Sequence, residues 1–379
     1  MIYLDNSATT RPDPSVLESF NQVSTQYYSN PSSIHQFGGL AEKLLITAKT
    51  QAADLLHVEK EEIIFTSGGT EGNNIAIKGI ALEHQNRGKH IITSEIEHPS
   101  IYEACEGLKK LGFEITYLPV DEQGIISLKD LKNAIREDTI LISIMHVNNE
   151  IGSIQPIKEI GEIAKHYPKL FFHVDDVQGL GKVPLNLKKH GIDLCTYSGH
   201  KIHGLKGTGL LYVNRRTKLF PLFHGGGQEL NIRSGTENLA GIVAMVKALR
   251  LIKEKEKNEG SKMYQLQQYI IQEVKKIDGV TVNTPKNAAP HIVNISVPGV
   301  KPEVIIHMLG KQDIFISTKS ACSSKSKDES KVLVACGFKA DRSTSALRIS
   351  LSYDNTMEEI KTFITELKRA INEFKQALE

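Results

Sequence analysis

No apolar run in the chain approaches the ~20 residues that a membrane-spanning helix needs; stretches such as Ile242-Val243-Ala244-Met245-Val246 stop far short. The amino end, Met1-Ile2-Tyr3-Leu4-Asp5-Asn6, has neither a basic region nor an apolar core, so no secretion signal is expected and the cytoplasm is the expected location. Cysteine is scarce. Positions 105, 195, 322 and 336 are spaced too irregularly for a disulfide framework or a zinc pattern, so no metal site is expected and at least one thiol is free for chemistry. Net charge is also small: 46 Lys and Arg against 44 Asp and Glu leave +2, whereas a nucleic-acid groove needs a concentrated basic face. Nucleic acid and membrane therefore drop out as direct partners.

What remains is a soluble enzyme-like composition, 40% hydrophobic and 24% charged, over 379 residues, enough for one large domain and a smaller one. From about residue 37 to 260 short apolar strands alternate with amphipathic helices, with seven strand candidates at Ile63–Thr66, His90–Thr93, Glu114–Leu118, Leu141–Met145, Leu170–Val174, Leu194–Tyr197 and Gly209–Val213. That alternation predicts a mainly parallel seven-stranded sheet covered on both faces, with ligands off the carboxyl ends of the strands. A helix over Glu237–Lys257 is predicted to stop near Asn258-Glu259-Gly260, with a second over Tyr264–Lys276. Strand candidates and a terminal amphipathic helix, Met357–Leu378, then make a small α+β unit. The expected division is 15–258 for the large domain, and 1–14 with 259–379 for the small one.

Polar residues recur where these strands end. Ser67-Gly68-Gly69-Thr70 closes a strand and opens a helix, so its free N–H groups suit a phosphate, although a tight strand–helix turn alone accounts for the glycines equally well. His98, before Pro99, can cap a helix or face a ligand ring. Asn149 can be a turn residue or a hydrogen-bond donor. Asp175 and Gln178 follow the apolar Leu170-Phe171-Phe172, where a carboxylate is poorly solvated and needs a cationic partner. Lys201, in Tyr197-Ser198-Gly199-His200-Lys201, is delivered to a strand end by small residues, a setting for covalent amine chemistry. Arg348, in Ala346-Leu347-Arg348-Ile349-Ser350, reads by itself as a solvent-facing residue on an alternating strand. Cys322 stands in a polar run, Thr318 to Lys327, with no core to bury a thiol, and Lys319, Lys325 and Lys327 favour its thiolate. Cys105, Cys195 and Cys336 read as packing residues.

A phosphate cup, a ring-facing His, a carboxylate for a pyridinium nitrogen and a Schiff-base Lys are the requirements of pyridoxal 5'-phosphate. Their order and spacing resemble the class V aminotransferase group of fold-type I enzymes, and within it the NifS/IscS-type cysteine desulfurases. The likeness spans the chain, including Tyr3–Thr10, Asn30-Pro31-Ser32-Ser33 and Arg233-Ser234-Gly235-Thr236. It implies a fold-type I α/β transferase. Gly69, Thr70, Ser198 and His200 would bind phosphate, joined by Thr236 from the second subunit of a homodimer. His98 would stack on the ring and do acid–base work, Asp175 would meet the ring nitrogen, Gln178 the phenolic oxygen, and Lys201 the aldehyde. Asn149 and Arg348 would hold the carboxylate of L-cysteine. Cys322, on a loop of about 318–331, would take the sulfur as a persulfide, leaving alanine, and pass it to an acceptor protein of iron–sulfur assembly or tRNA thiolation. The same site without Cys322 would serve a selenocysteine lyase or an aminotransferase, and a non-catalytic sulfur-trafficking scaffold is the reading from another class. One departure stands out: Asp176 follows Asp175 where the family usually has a small residue.

Overall fold

The computed structural model describes residues 1–318 and 329–376, so Cys322 lies outside the described residues. Twelve strands appear among them: β1 Ile2–Tyr3, β2 Ile63–Thr66, β3 His90–Ser94, β4 Glu114–Leu118, β5 Thr139–Met145, β6 Phe171–Asp175, β7 Leu194–Ser198, β8 Gly209–Val213, β9 Thr281–Val282, β10 Ile292–Ser296, β11 Ile314–Phe315 and β12 Ala346–Ser350. The helices that matter below are α1 Pro14–Gln26, α2 Gln36–Leu56, α3 Gly69–His84, α4 Pro99–Lys109, α5 Leu128–Ala134, α6 Ile157–Ala164, α7 Leu239–Val274, α8 Pro302–Gly310, α9 Lys331–Ala335, α10 Ala340–Ser343 and α11 Met357–Gln376.

Seven strands form one sheet in the order β2-β8-β7-β6-β5-β3-β4. Only β8 runs against the rest, pairing antiparallel with both β2 and β7. The mainly parallel sheet expected from the sequence is present, and its strands are apolar on both faces because both are covered. Alternation along each strand feeds two cores. Ile63, Phe65, Ile92, Ile142 and Ile144 pack into the core that includes Val16, Ala48 and Met245 of α1, α2 and α7. Ile64, Ile91, Leu141 and Leu194 pack on the other face against Ile75 and Ile80 of α3 and Ile101 and Leu108 of α4. The carboxyl ends of β2, β3, β5, β6 and β7 thus lie along one edge, and each is followed by a residue of the predicted constellation.

The remaining strands build a smaller unit, with β10 between β9 and β12, and β1 pairing parallel with β11. The first residues of the chain therefore join its carboxyl-terminal part. Leu4, Leu347, Ile349, Phe363 and Leu367 share its core with Leu266 and Ile270. Those last two belong to α7, which corrects the expected break at Asn258–Gly260: one helix of 36 residues runs through it. A glycine within a helix costs only about 1 kcal/mol, and with no proline present the apolar stripe of Leu266, Ile270 and Val274 carries the helix on into the core of the smaller unit.

Candidate active site

At the carboxyl edge a cavity of about 300 Å³ is lined by residues from both parts of the chain, among them Gly69, Thr70, His98, Asn149, Asp175, Gln178, Ser198, His200, Lys201 and Arg348. Of the predicted site residues with described coordinates, only Thr236 is missing from its wall. Thr236 is exposed, on the turn before α7. That turn is clamped to the predicted phosphate cup: Arg233 Nε donates to Glu71 Oε1 at 2.8 Å, and the other Glu71 oxygen accepts from the backbone N of Ser67 at 3.0 Å.

The cup itself is built by glycine. Gly68 has φ of 151°, a region side chains rarely adopt, and a Cβ on Gly69 would meet Val177 Cγ2 at 2.9 Å. The amino end of α3 therefore opens on the cavity with its first N–H groups unclaimed by the helix, the setting that suits an anion. Ser198 Oγ, at the end of β7, is buried without a hydrogen-bond partner. His200 Nδ1 sits 3.1 Å from Thr9 Oγ1, and burial followed by the Lys201 charge pushes its pKa down to about 4, so it meets an anion as a neutral donor.

Lys201 ends a short helical turn, Gly199–Lys201, and its Nζ donates to the backbone oxygens of Ser7 at 2.5 Å and Ala8 at 2.8 Å. Gln178 Nε2 donates to the same Ser7 oxygen at 3.0 Å, and Gln178 Oε1 lies 3.4 Å from Nε2 of the buried His291. Lys182 is a near neighbour: its Nζ donates to the Lys201 backbone oxygen at 3.0 Å, and burial brings its pKa down to about 8.

The two adjacent aspartates separate cleanly. Asp175 closes β6 and faces the cavity, where its carboxylate accepts from Asn73 Nδ2 at 2.7 Å and from the Val177 backbone at 3.0 Å. Two neutral donors thus hold the Asp175 carboxylate in place at the cavity wall. Asp176 turns to the opposite side and meets His146 Nδ1 at 2.6 Å, both side chains being buried. His173, two residues before Asp175, bridges Ser143 and Thr196 at 2.8 and 2.9 Å and is a neutral core residue.

The capping role open to His98 is the one the structure shows. It caps α4 by accepting the Ser100 backbone N–H, and it lines the cavity, with burial as the main force holding its pKa down. Glu97 beside it is half-buried, with its carboxyl Oε2 turned away from water and left without a hydrogen-bond partner. Burial lifts its pKa to about 8 although Ser94 Oγ and the Met145 N–H both donate to it, at 2.6 and 3.0 Å. Because the folded chain holds this proton more tightly than the unfolded one, stability falls as pH climbs from the ordinary carboxyl range, and the loss is complete above about 8. Glu97→Gln is thus expected to gain Tm on the parent as pH rises from about 5 to about 9, read by calorimetry; a difference independent of pH would contradict a protonated Glu97.

Arg348 corrects the solvent-facing reading of its strand. It is 1% exposed, because Leu347 and Ile349 pack into the small core while the polar face of β12 turns to the cavity. Nη1 donates to the Asn149 backbone oxygen at 2.9 Å, Nη2 donates to Asp5 Oδ1 at 3.0 Å, and Nε is buried without a partner. An unsatisfied guanidinium N–H beside a cavity points to an incoming carboxylate. Asn149 lines the cavity next to it. Asp5, Ser7, Asn73, Ser100 and His291 were not singled out from the sequence. For Asn73 a signal existed: it lies three and four residues after Thr70 and Gly69, hence on the same face of α3.

Together these features, a glycine cup at a helix start with an orphaned hydroxyl, a lysine at a strand end, a carboxylate across from it and a buried arginine, define an aminated-substrate enzyme working with a phosphorylated cofactor on a doubly covered sheet. The family profile for aminotransferase class-V matches residues 2–363, and the chain belongs to that family. It is 48% identical to a NifS/IcsS protein homolog from Lactobacillus delbrueckii subsp. bulgaricus over 99% of this chain and 98% of that one. It is 44% identical to cysteine desulfurase IscS of Dictyoglomus turgidum over 99% and 95%. A solved NifS-like protein superposes with a TM-score of 0.92 at 35% identity, over 98% of this chain and 99% of that one. Pyridoxal 5'-phosphate is the family's cofactor, and the orphaned Ser198 Oγ, the glycine cup and Lys201 fit it. Among the described residues no helix is long and apolar enough to cross a membrane, and no group of three His, Cys, Asp or Glu could hold a metal ion.

Proposed function

We propose that this chain is a cysteine desulfurase that converts L-cysteine to L-alanine and keeps the sulfur as a persulfide on Cys322. The observation that supports it best is the convergence of Lys201, Asp175 and the unpartnered Arg348 Nε on one cavity. Gly69, Thr70, Ser198 and His200 would hold the cofactor phosphate, Gln178 its phenolic oxygen, Asp175 its ring nitrogen, His98 its face and Lys201 its aldehyde carbon. When bound, the cofactor supplies an electron sink that makes the substrate Cα–H acidic.

The protein supplies the rest. Arg348 and Asn149 fix the substrate carboxylate, and with it the Cα and the sulfur. The Lys201 amine, held at a strand end within reach of Ser7 and Ala8 carbonyls, takes the Cα proton as general base. The Cys322 thiolate attacks the substrate sulfur. One S–S bond forms as the Cβ–S bond breaks, Cβ keeps the electron pair and gains a proton, and alanine leaves. Sulfur then passes to an acceptor protein, of which iron–sulfur assembly and tRNA thiolation are the two classes we propose, in the cytoplasm.

We further propose a homodimer in which Thr236 reaches the phosphate of the partner's site, in keeping with its exposed position and its anchorage to the chain's own cup through Arg233 and Glu71. The working division is 15–258 for the cofactor domain, with 1–14 and 259–379 for the small domain; α7 crosses that boundary as one rod and ties the two parts. Product analysis tests the reading. Purified protein given L-cysteine should yield alanine and protein-bound persulfide in equal amounts; a keto acid in place of alanine would identify an aminotransferase, turnover confined to selenocysteine a lyase, and no turnover a scaffold.

A further inference from the structure

Four polar groups form one continuous hydrogen-bonded chain behind the cavity. Asn73 Nδ2 donates one hydrogen to Asp175 Oδ2 at 2.7 Å and the other to Ser100 Oγ at 2.9 Å. Ser100 Oγ lies 2.8 Å from His98 Nδ1, and the Ser100 backbone N–H donates to that same nitrogen at 3.1 Å. Asn73, Ser100 and Asp175 are all buried, so water does not substitute for these partners.

The proton positions follow from counting donors and acceptors. Both Asp175 oxygens accept, Oδ1 from the Val177 N–H and Oδ2 from Asn73, so Asn73 turns its NH₂ and not its carbonyl toward Asp175, and both amide hydrogens are then committed. Asn73 Oδ1 is correspondingly left buried with no partner, a cost accepted only if the other orientation is worse. Ser100 Oγ already accepts from Asn73, so its own hydrogen goes to His98 Nδ1. A ring nitrogen facing two donors carries no proton. Neutral His98 therefore has its hydrogen on Nε2, and adding a second at Nδ1 would confront the Ser100 backbone N–H, which cannot turn away because it is fixed in the first turn of α4.

We propose that Asn73 and Ser100 are positioning residues that fix His98 as the Nε2–H tautomer and lock the Asp175 carboxylate, so that His98 serves as a neutral hydrogen-bond donor and not as a titrating base. This deepens the proposed function and rests on its reading of His98 and Asp175 as cofactor contacts. It also changes the acid–base work that the family resemblance implied for His98. The charges that face the ring act in opposite senses, Asp175 favouring the cation while Lys201 disfavours it; His200 stands nearby as a neutral ring.

The test uses holoenzyme with ¹⁵N-labelled histidine, read by long-range proton–nitrogen NMR, with the His98 signals identified by their loss in His98→Gln. The parent should show a single Nε2–H pattern that does not titrate between about pH 6 and 8.5, a range in which an ordinary histidine changes charge. Ser100→Ala removes the hydroxyl donor to Nδ1 and keeps the backbone N–H, so the Nε2–H form should persist with its Nδ1 nitrogen signal shifted, and Ser100→Thr, which keeps the hydroxyl, should restore the parent signal. Asn73→Ala should move the pH midpoint of the bound cofactor's visible absorption and lower kcat about 10- to 100-fold, the worth of a hydrogen bond to a charged group, with KM little changed. A parent His98 protonated on both nitrogens near neutrality, or an Nδ1 signal unmoved by Ser100→Ala together with an absorption midpoint unmoved by Asn73→Ala, overturns the proposal. The parent spectrum alone decides if a variant fails to fold. A chain that carries its cofactor on Lys201 yet shows a titrating His98 sinks this inference while leaving the proposed function standing.

Discussion

Asp175→Ala is expected to lower kcat for alanine formation by several orders of magnitude, about a thousandfold or more, because among the described residues it removes the one carboxylate on the cavity wall able to keep a pyridine nitrogen protonated. Asp176→Ala is expected to cost tenfold or less in kcat, on the order of 1.4 kcal/mol. Strand geometry predicts the split, since successive residues leave a strand on opposite sides, and the structure shows its consequence: Asp175 meets Asn73, whereas Asp176 meets His146. The Asp176 variant should instead lose Tm, because a buried histidine is left without its partner. Rates and melting curves for the two purified variants check both halves. A larger kcat loss at Asp176 would reverse the assignment.

Cys322→Ser is the second large effect. The thiol acts only once substrate is seated, so the variant should bind the cofactor, keep its visible spectrum and respond spectrally to cysteine, yet form no persulfide and lose turnover by at least about a hundredfold, the scale of a removed nucleophile. Parallel spectra and sulfur assays on parent and variant measure it. Unchanged turnover would mean that sulfur is accepted elsewhere, and Cys105, Cys195 and Cys336 are poor candidates, all three being buried with thiol pKa values raised by desolvation.

Much of this site was legible because parallel sheets present their functional residues in one predictable place, the carboxyl ends of strands. Gly69, His98, Asn149, Asp175 and Lys201 could each be placed there from a short apolar run followed by a polar break. Arg348 could not. Alternation on β12 looks like a water-facing strand, and only the packing of the small unit against the large one shows that its polar face meets a cavity. Asp5 and Ser7 escaped for a related reason: their partners, Arg348 and Lys201, are 343 and 194 residues away in sequence. The continuous α7 shows the opposite failure, a local stop signal at Asn258–Gly260 overruled by apolar contacts on both sides of it. The α3 face that Asn73 shares with Gly69 and Thr70 points it at the cavity, but nothing local to it or to Ser100 signals the chain they form with His98 and Asp175, because that chain joins α3, the start of α4 and the end of β6.

The account turns on Lys201 as the cofactor-bearing amine, and the surroundings make this a demanding claim. Lys182 lies close enough to touch the Lys201 backbone, and burial brings its pKa down to about 8, so its amine is readily deprotonated near neutrality. The cavity wall includes Lys201 but not Lys182. Borohydride reduction of the yellow holoenzyme, followed by digestion and mass spectrometry, locates the attachment. The account predicts one reduced cofactor adduct, on Lys201; an adduct on Lys182 or Lys206, or no adduct at all, would contradict it.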